Sequence, residues 1–100
     1  MKRRNVRFSS EAEDDLSRIV GWIEERASLS VAIGYATRLH AYCQRLVLAS
    51  ERGTTRDDIT PGLRVIGFER RVSIAFVVDG DEVVILRLFY GGRDWENDLL

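Results

Sequence analysis

Val72-Ser73-Ile74-Ala75-Phe76-Val77-Val78-Asp79-Gly80-Asp81-Glu82-Val83-Val84-Ile85-Leu86-Arg87-Leu88-Phe89-Tyr90 sets two runs of β-branched and aromatic residues about a polar, glycine-containing turn. Such runs read as the two strands of a hairpin. Parity then fixes its register. Val72, Ile74, Phe76 and Val78 form one apolar set, and Val84, Leu86, Leu88 and Tyr90 form the other. The two sets share a face when Val78 pairs near Glu82, which makes Asp79-Gly80-Asp81 a three-residue loop. A two-residue Gly80-Asp81 turn would place Arg87 beside Ile74, so the odd loop is expected. The opposite face then carries Ser73, Ala75, Val77, Val83, Ile85, Arg87 and Phe89. That face is too apolar to be simply wet, and the sequence offers no third helix to cover it. An apolar sheet face with an arginine in it is a candidate partner surface.

Working outward from the hairpin, Leu63 to Phe68 reads as a further strand. Ser50 to Gly62, with Gly53, Asp57-Asp58 and Pro61-Gly62, reads as a loop. Nearer the start, the helical period takes over. Ala12, Leu16, Ile19, Val20, Ile23 and Ala27 share one face of a first helix expected from about Ser10 to Arg26. Either Ser9 or Ser10 can cap it, and Glu11, Glu13, Asp14 and Asp15 suit its positive end. Ser30 can cap a second helix from about Val31 to Ala49, whose apolar face is Ala32, Tyr35, Ala36, Leu39, Tyr42, Cys43 and Leu46. Asn5 to Phe8 alternates and reads as a first strand. The expected fold is α+β in the order β-α-α-β-β-β, with a helical hairpin packed on one face of a short, mainly antiparallel sheet.

One hundred residues make one domain with one core. A net charge of −1 argues against a domain whose main task is gripping nucleic-acid backbone. No apolar run approaches the ~20 residues of a membrane helix, and the basic start is followed by polar, acidic sequence rather than a signal-peptide core. With Cys43 as the one cysteine, no internal disulfide forms, which fits a reducing cytoplasm. Fourteen of the 15 basic residues are Arg, a side chain suited to planar, bidentate contacts at interfaces.

The catalytic inventory is poor. His40 is the one histidine and lies on the flank of the second helix's apolar stripe, where a boundary role is the simplest reading. Cleaving RNA through its 2′-hydroxyl needs a base, an acid and a cation at the phosphate. Arg64, Arg87, Tyr90 and Arg93 are the candidates, but a phenol titrates near 10. One Cys and one His build no usual zinc site, and no phosphate-binding loop or nucleophile elbow is present. No metal, cofactor or catalytic residue is expected. For binding, the candidates are Arg87, Phe89, Arg93 and Trp95, with Trp22 off the centre of the first helix's apolar stripe; Trp and Arg are favoured interface anchors, although Trp22 and Trp95 equally suit the edges of a small core.

The order of short motifs along the chain carries a family resemblance. Phe8-Ser9-Ser10-Glu11-Ala12-Glu13-Asp14-Asp15-Leu16, followed by Ile19 and Ile23, is similar to the strand-to-helix segment of ParE-type toxins of the ParE/RelE superfamily. Gly53, Arg56, Asp57, Pro61, Gly62, Leu63 and Arg64 resemble that family's loop into its second strand, and Asp79 to Arg87 resembles its final hairpin. Tyr90-Gly91-Gly92-Arg93-Asp94 resembles a His-Gly-Arg-Arg-Asp ending, with Tyr90 in place of the usual His and Gly92 in place of one Arg. Members often carry Trp then Tyr where this chain has Val20 and Trp22. The resemblance implies a toxin that inhibits DNA gyrase and is neutralised by a ParD-like antitoxin, a ribbon-helix-helix protein with a wrapping tail. DNA would then be met through the antitoxin. The superfamily's ribosome-dependent mRNA endoribonucleases supply the alternative, and a fold kept as an antitoxin partner alone is a third. Antitoxin contacts are expected at Trp22, Arg64, Arg71, Ser73, Ala75, Ile85, Arg87 and Phe89. Toxicity is expected at Tyr90, Arg93, Asp94 and Trp95.

Overall fold

A computed structural model describes residues 5–48 and 52–91. Strand β1 (Asn5–Phe8) runs straight into helix α1 (Ser10–Arg26). Ser9 makes that junction: its backbone N–H donates to Ile85 O (2.9 Å), its Oγ donates to Leu86 O (2.8 Å), and the same Oγ accepts from Ala12 N (3.0 Å). One serine therefore ends the strand pairing and caps the helix. Helix α2 (Leu29–Gln44) starts two residues earlier than expected, because Ser28 rather than Ser30 accepts from Val31 N at 3.1 Å. A single 3-10 turn, Arg45–Val47, continues it.

Strands β2 (Thr54–Thr55), β3 (Arg64–Phe68), β4 (Val72–Asp79) and β5 (Glu82–Tyr90) complete a five-stranded sheet in the order β1-β5-β4-β3-β2. β1 pairs with β5 in parallel and the other pairs are antiparallel. The two helices pack on one face of this mixed sheet, as expected. β2, inside the loop preceding β3, is an addition. Between the layers lie Ala12, Ile19 and Ile23 from α1, Ala32, Tyr35, Leu39 and Cys43 from α2, and Ile74, Phe76, Ile85 and Leu88 from the sheet. Each large side chain so buried stabilises the fold by roughly 1.5–3 kcal/mol, which is why register follows this layer.

The final hairpin corrects the parity argument. Asp79 pairs with Glu82, so the turn is the two-residue Gly80-Asp81, with Gly80 at φ +59°. A glycine first in a two-residue turn is a favoured arrangement. The odd residue sits further along the strand. Phe76 pairs with Ile85 but Ala75 pairs with Arg87, leaving Leu86 as a bulge. A bulge reverses the alternation. Val83 and Ile85, expected on the outer face, therefore join the helix-facing core with Leu88, while Leu86, expected in that core, joins the outer cluster. The site has a physical reason: β1 pairs with β5 only through Ile85, so beyond that point the β5 edge is free to bend.

The outer sheet face is covered as well. Arg56 N donates to Leu63 O (2.8 Å), Leu63 N to Thr60 O (3.0 Å) and Gly62 N to Asp57 Oδ1 (2.8 Å). These bonds hold a compact loop that lays Ile59 and Leu63 on Ala75, Phe89, Val65, Val77 and Leu86. A loop does what the missing third helix was expected to leave undone.

Candidate functional site

Arg18, Trp22 and Arg26 recur every four residues on α1, so they line one side of that helix. Val31, Tyr35 and Arg38, spaced by four and then three, line one side of α2. The tight turn between β3 and β4 adds Glu69, Arg70 and Arg71, and the end of β5 adds Tyr90. Together these side chains surround three adjoining hollows that share Trp22 and Tyr90. The middle one has a volume of about 460 Å³.

Trp22 is the aromatic centre, 38% exposed. Its ring lies 4.6 Å from Tyr90, tilted by 58°, and the Arg26 guanidinium sits 4.0 Å from its centroid. Tyr35, beneath, meets Tyr90 edge-on at 6.3 Å and Phe68 at 5.6 Å. Arg38 grips Glu69 through two bonds of 2.9 and 3.2 Å, and this pair holds the Glu69 carboxyl below its ordinary value. Burial first, and then the nearby Glu69, push the Tyr35 phenol up to about 12. Glu69 (φ +49°) and Arg70 (φ +60°) both occupy the left-handed backbone region. Neither is the glycine or asparagine that tolerates it, so the turn stores strain in order to carry these side chains.

Behind the hollow, Asp15 anchors α1 to the free edge of β5. It is 3% exposed. Its carboxylate accepts from Arg87 Nε (2.8 Å), a terminal Arg87 nitrogen (3.1 Å), Leu88 N (2.9 Å) and Arg18 (3.4 Å). The carboxylate thus supplies the acceptor that the Leu88 N–H lacks once β1 has ended.

The hollow has aromatic faces and surplus cations, with no histidine among the described residues that line it. His40 lies elsewhere, stacked on Phe8 at 5.4 Å. Among the described residues no cluster fit for a metal ion occurs, and no helix is long and apolar enough to cross a membrane. The family model for the ParE toxin of type II toxin–antitoxin systems, parDE, matches residues 6–95. The chain belongs to the ParE toxin family. A solved structure described as the chromosomal ParDE toxin–antitoxin system from P. aeruginosa shares this fold, with a TM-score of 0.77 at 23% identity, over 89% of this chain and 97% of that one. A comparison with curated proteins finds no match.

In this ParE-family toxin, Trp22, Arg71 and Tyr90, expected to serve two separate surfaces, come together in one hollow. Ala75, Ile85 and Phe89 do not offer a surface: all three are buried, Ile85 toward the helices and the other two under the Ile59–Leu63 loop. Ser73 and Arg64 are half-buried on β4 and β3. Arg87 is not the open centre of a sheet face, because its side chain is 19% exposed and committed to Asp15. Arg93, Asp94 and Trp95 lie outside the described residues. Sequence reasoning passed over Asp15, Arg18, Arg26, Arg38, Glu69 and Arg70. A signal existed for Asp15, an acid standing between Ala12 and Ile19 on the buried stripe. The four-residue spacing of Arg18, Trp22 and Arg26 was a second.

Proposed function

We propose that this chain poisons DNA gyrase through the Trp22–Tyr90 hollow and is held inactive by a ParD-like antitoxin, in the bacterial cytoplasm, without itself catalysing a reaction. Membership of the ParE toxin family carries the reading. The chemistry of the hollow supports binding over cleavage. Tyr35 titrates far too high to act as a base near neutral pH. Glu69 is tied to Arg38, and Arg87, a candidate phosphate cation for the endoribonuclease alternative, is tied to Asp15.

The antitoxin tail needs an apolar surface, and the outer side of the helical hairpin supplies one. Leu29 and Ile33, one helical turn apart, are each about half exposed. Beside them runs a groove lined by Leu16, Val20, Ile33, Ala36, Thr37 and His40. Contiguous exposed apolar surface of this kind marks a partner site. With a net charge of −1, the toxin leaves DNA contact to the antitoxin.

The test is gyrase supercoiling with purified toxin. Inhibition that is relieved by the antitoxin, and lost in Trp22→Ala and Tyr90→Ala, fits the proposal. Gyrase that stays fully active at saturating toxin rejects it, and cleavage of mRNA in a translating lysate would install the endoribonuclease in its place.

A further inference from the structure

We infer that the hollow beside Trp22 is a receptor for an acidic protein segment that carries an apolar anchor residue. The inference deepens the target reading above, on which it rests for the identity of the partner, by naming what the hollow recognises. Tyr35 is the first observation. Its side chain is 6% exposed and lines the hollow, and its hydroxyl is buried with no hydrogen-bond partner among the described residues. A buried hydroxyl left unpaired is costly, and a phenol stays protonated, and so a donor, across the physiological range. It is a donor waiting for an acceptor.

Charge is the second observation. Glu69, the one acid among the described residues lining the hollow that Tyr35 floors, is paired by two bonds with Arg38. Arg26 and Arg71 then remain as surplus positive charge on the same rim. A carboxylate placed between them would accept from guanidinium and phenol together, and charge-assisted bonds to arginine are the strong kind. Strain is the third observation. The turn holds Glu69 and Arg70 at positive φ, where a glycine would sit without strain but would bring no charge to the rim.

Peptide is favoured over nucleic acid by the aromatic geometry. Nucleobase binding needs an open ring face. Trp22 already contacts Arg26 at 4.0 Å and Tyr90 at 4.6 Å, and Arg26 also bonds the Trp22 carbonyl at 3.4 Å. The wall between the helices is aliphatic, formed by buried Ile23 and the exposed Ala27 and Val31, which suits a side chain such as leucine.

The experiment is fluorescence anisotropy with the intact toxin and a labelled glutamate-rich peptide bearing one central leucine. The controls are the same peptide with lysine for glutamate, and an oligothymidylate of equal length. The acidic peptide should bind more tightly than both. Arg71→Ala should weaken binding about tenfold or more, as loss of a charged hydrogen bond does. Tyr35→Phe, which keeps the ring in the core, should weaken it severalfold. Equal affinity for the lysine peptide, tighter binding of the oligothymidylate, or variants that bind like the parent would overturn the proposal. Gyrase is absent from this assay. Inhibition that persists without peptide binding would therefore sink the receptor and leave the target reading standing, and peptide binding without inhibition would do the reverse.

Discussion

Asp15→Ala tests whether α1 is held to β5 by a single buried carboxylate. In the parent, that carboxylate satisfies the Leu88 N–H at 2.9 Å and pairs with Arg87 in a bidentate geometry at 2.8 and 3.1 Å. Removing one partner of a buried pair costs roughly 3–5 kcal/mol, because the other charge stays behind unpaired. Arg87 is 19% exposed and recovers some hydration, so the low end applies, about 3 kcal/mol. A domain of this size shifts by roughly 4–8 °C for each kcal/mol. Asp15→Ala should therefore melt about 12–24 °C below the parent. Asp15→Asn keeps an oxygen for Leu88 N and loses the charge, which places it nearer 2 kcal/mol, within the range for charged hydrogen bonds. Arg87→Met removes the stranded cation while keeping an alkyl stem. Asp15→Asn combined with Arg87→Met should then cost less than the sum of the two, by about 1 kcal/mol or more. Urea unfolding followed by far-ultraviolet circular dichroism gives all four values. An Asp15→Ala protein within 1 kcal/mol of the parent, or a strictly additive cycle, would refute the anchor.

Cys43 is fully buried, and burial pushes its thiol up to about 12, so a thiol reagent at pH 8 should label it only as fast as the chain unfolds; prompt labelling of the native protein would contradict its place in the core. Cys43 and Tyr35 hold their protons more tightly folded than unfolded, with pKa values raised from 9.0 and 10.0 to about 12, so their contribution to stability is intact below pH 9 and is lost as pH climbs toward 12. Cys43→Ala should flatten the early part of that alkaline fall in the urea midpoint, and an unchanged slope would remove the thiol as its cause. Arg70→Gly relieves a positive φ and should raise stability by roughly 0.5–1 kcal/mol while weakening gyrase inhibition, a trade that a melting curve and a supercoiling assay measure side by side. Trp22→Tyr and Tyr90→His should be coupled in inhibition, with the double variant closer to the parent than the two single losses predict; independent effects would mean that the rings do not act together.

Periodicity carried the helical layer because a helix repeats its own geometry. Ala12, Ile19 and Ile23 on α1, and Ala32, Tyr35, Leu39, Cys43 and Leu46 beyond them, were legible from spacing and all lie in the main core. Parity served less well on β5. It assumes an unbroken ladder, so the extra residue was assigned to the turn, whereas the chain spends it at Leu86. Nothing local in Ile85-Leu86-Arg87 records that β1 ends opposite Ile85, a contact between residues far apart in sequence. The covering of the outer face was hidden for the same reason. Ile59 and Leu63 look like loop residues until the Arg56–Leu63 bonds fold them back. The hollow drew on four separate segments, so its residues were visible one at a time and its existence was not.

The two departures from the family pattern at the aromatic positions are one departure. In the family pattern the sequence resembles, a Tyr is often expected at the place of Trp22 and a His at the place of Tyr90; in the fold the two rings lie 4.6 Å apart. A tilted aromatic pair contributes roughly 0.5–1.5 kcal/mol beyond the area it buries, and Arg26 over Trp22 adds a cation–π contact. A larger indole on α1 thus meets a flat phenol on β5 in place of an imidazole. The exchange gives up an imidazole for a phenol that packs against Trp22. A site that had to move protons would be damaged by that exchange, and a site that has to grip a protein segment would be strengthened by it. Tyr90 packed on Trp22 therefore supports the binding role proposed for this hollow.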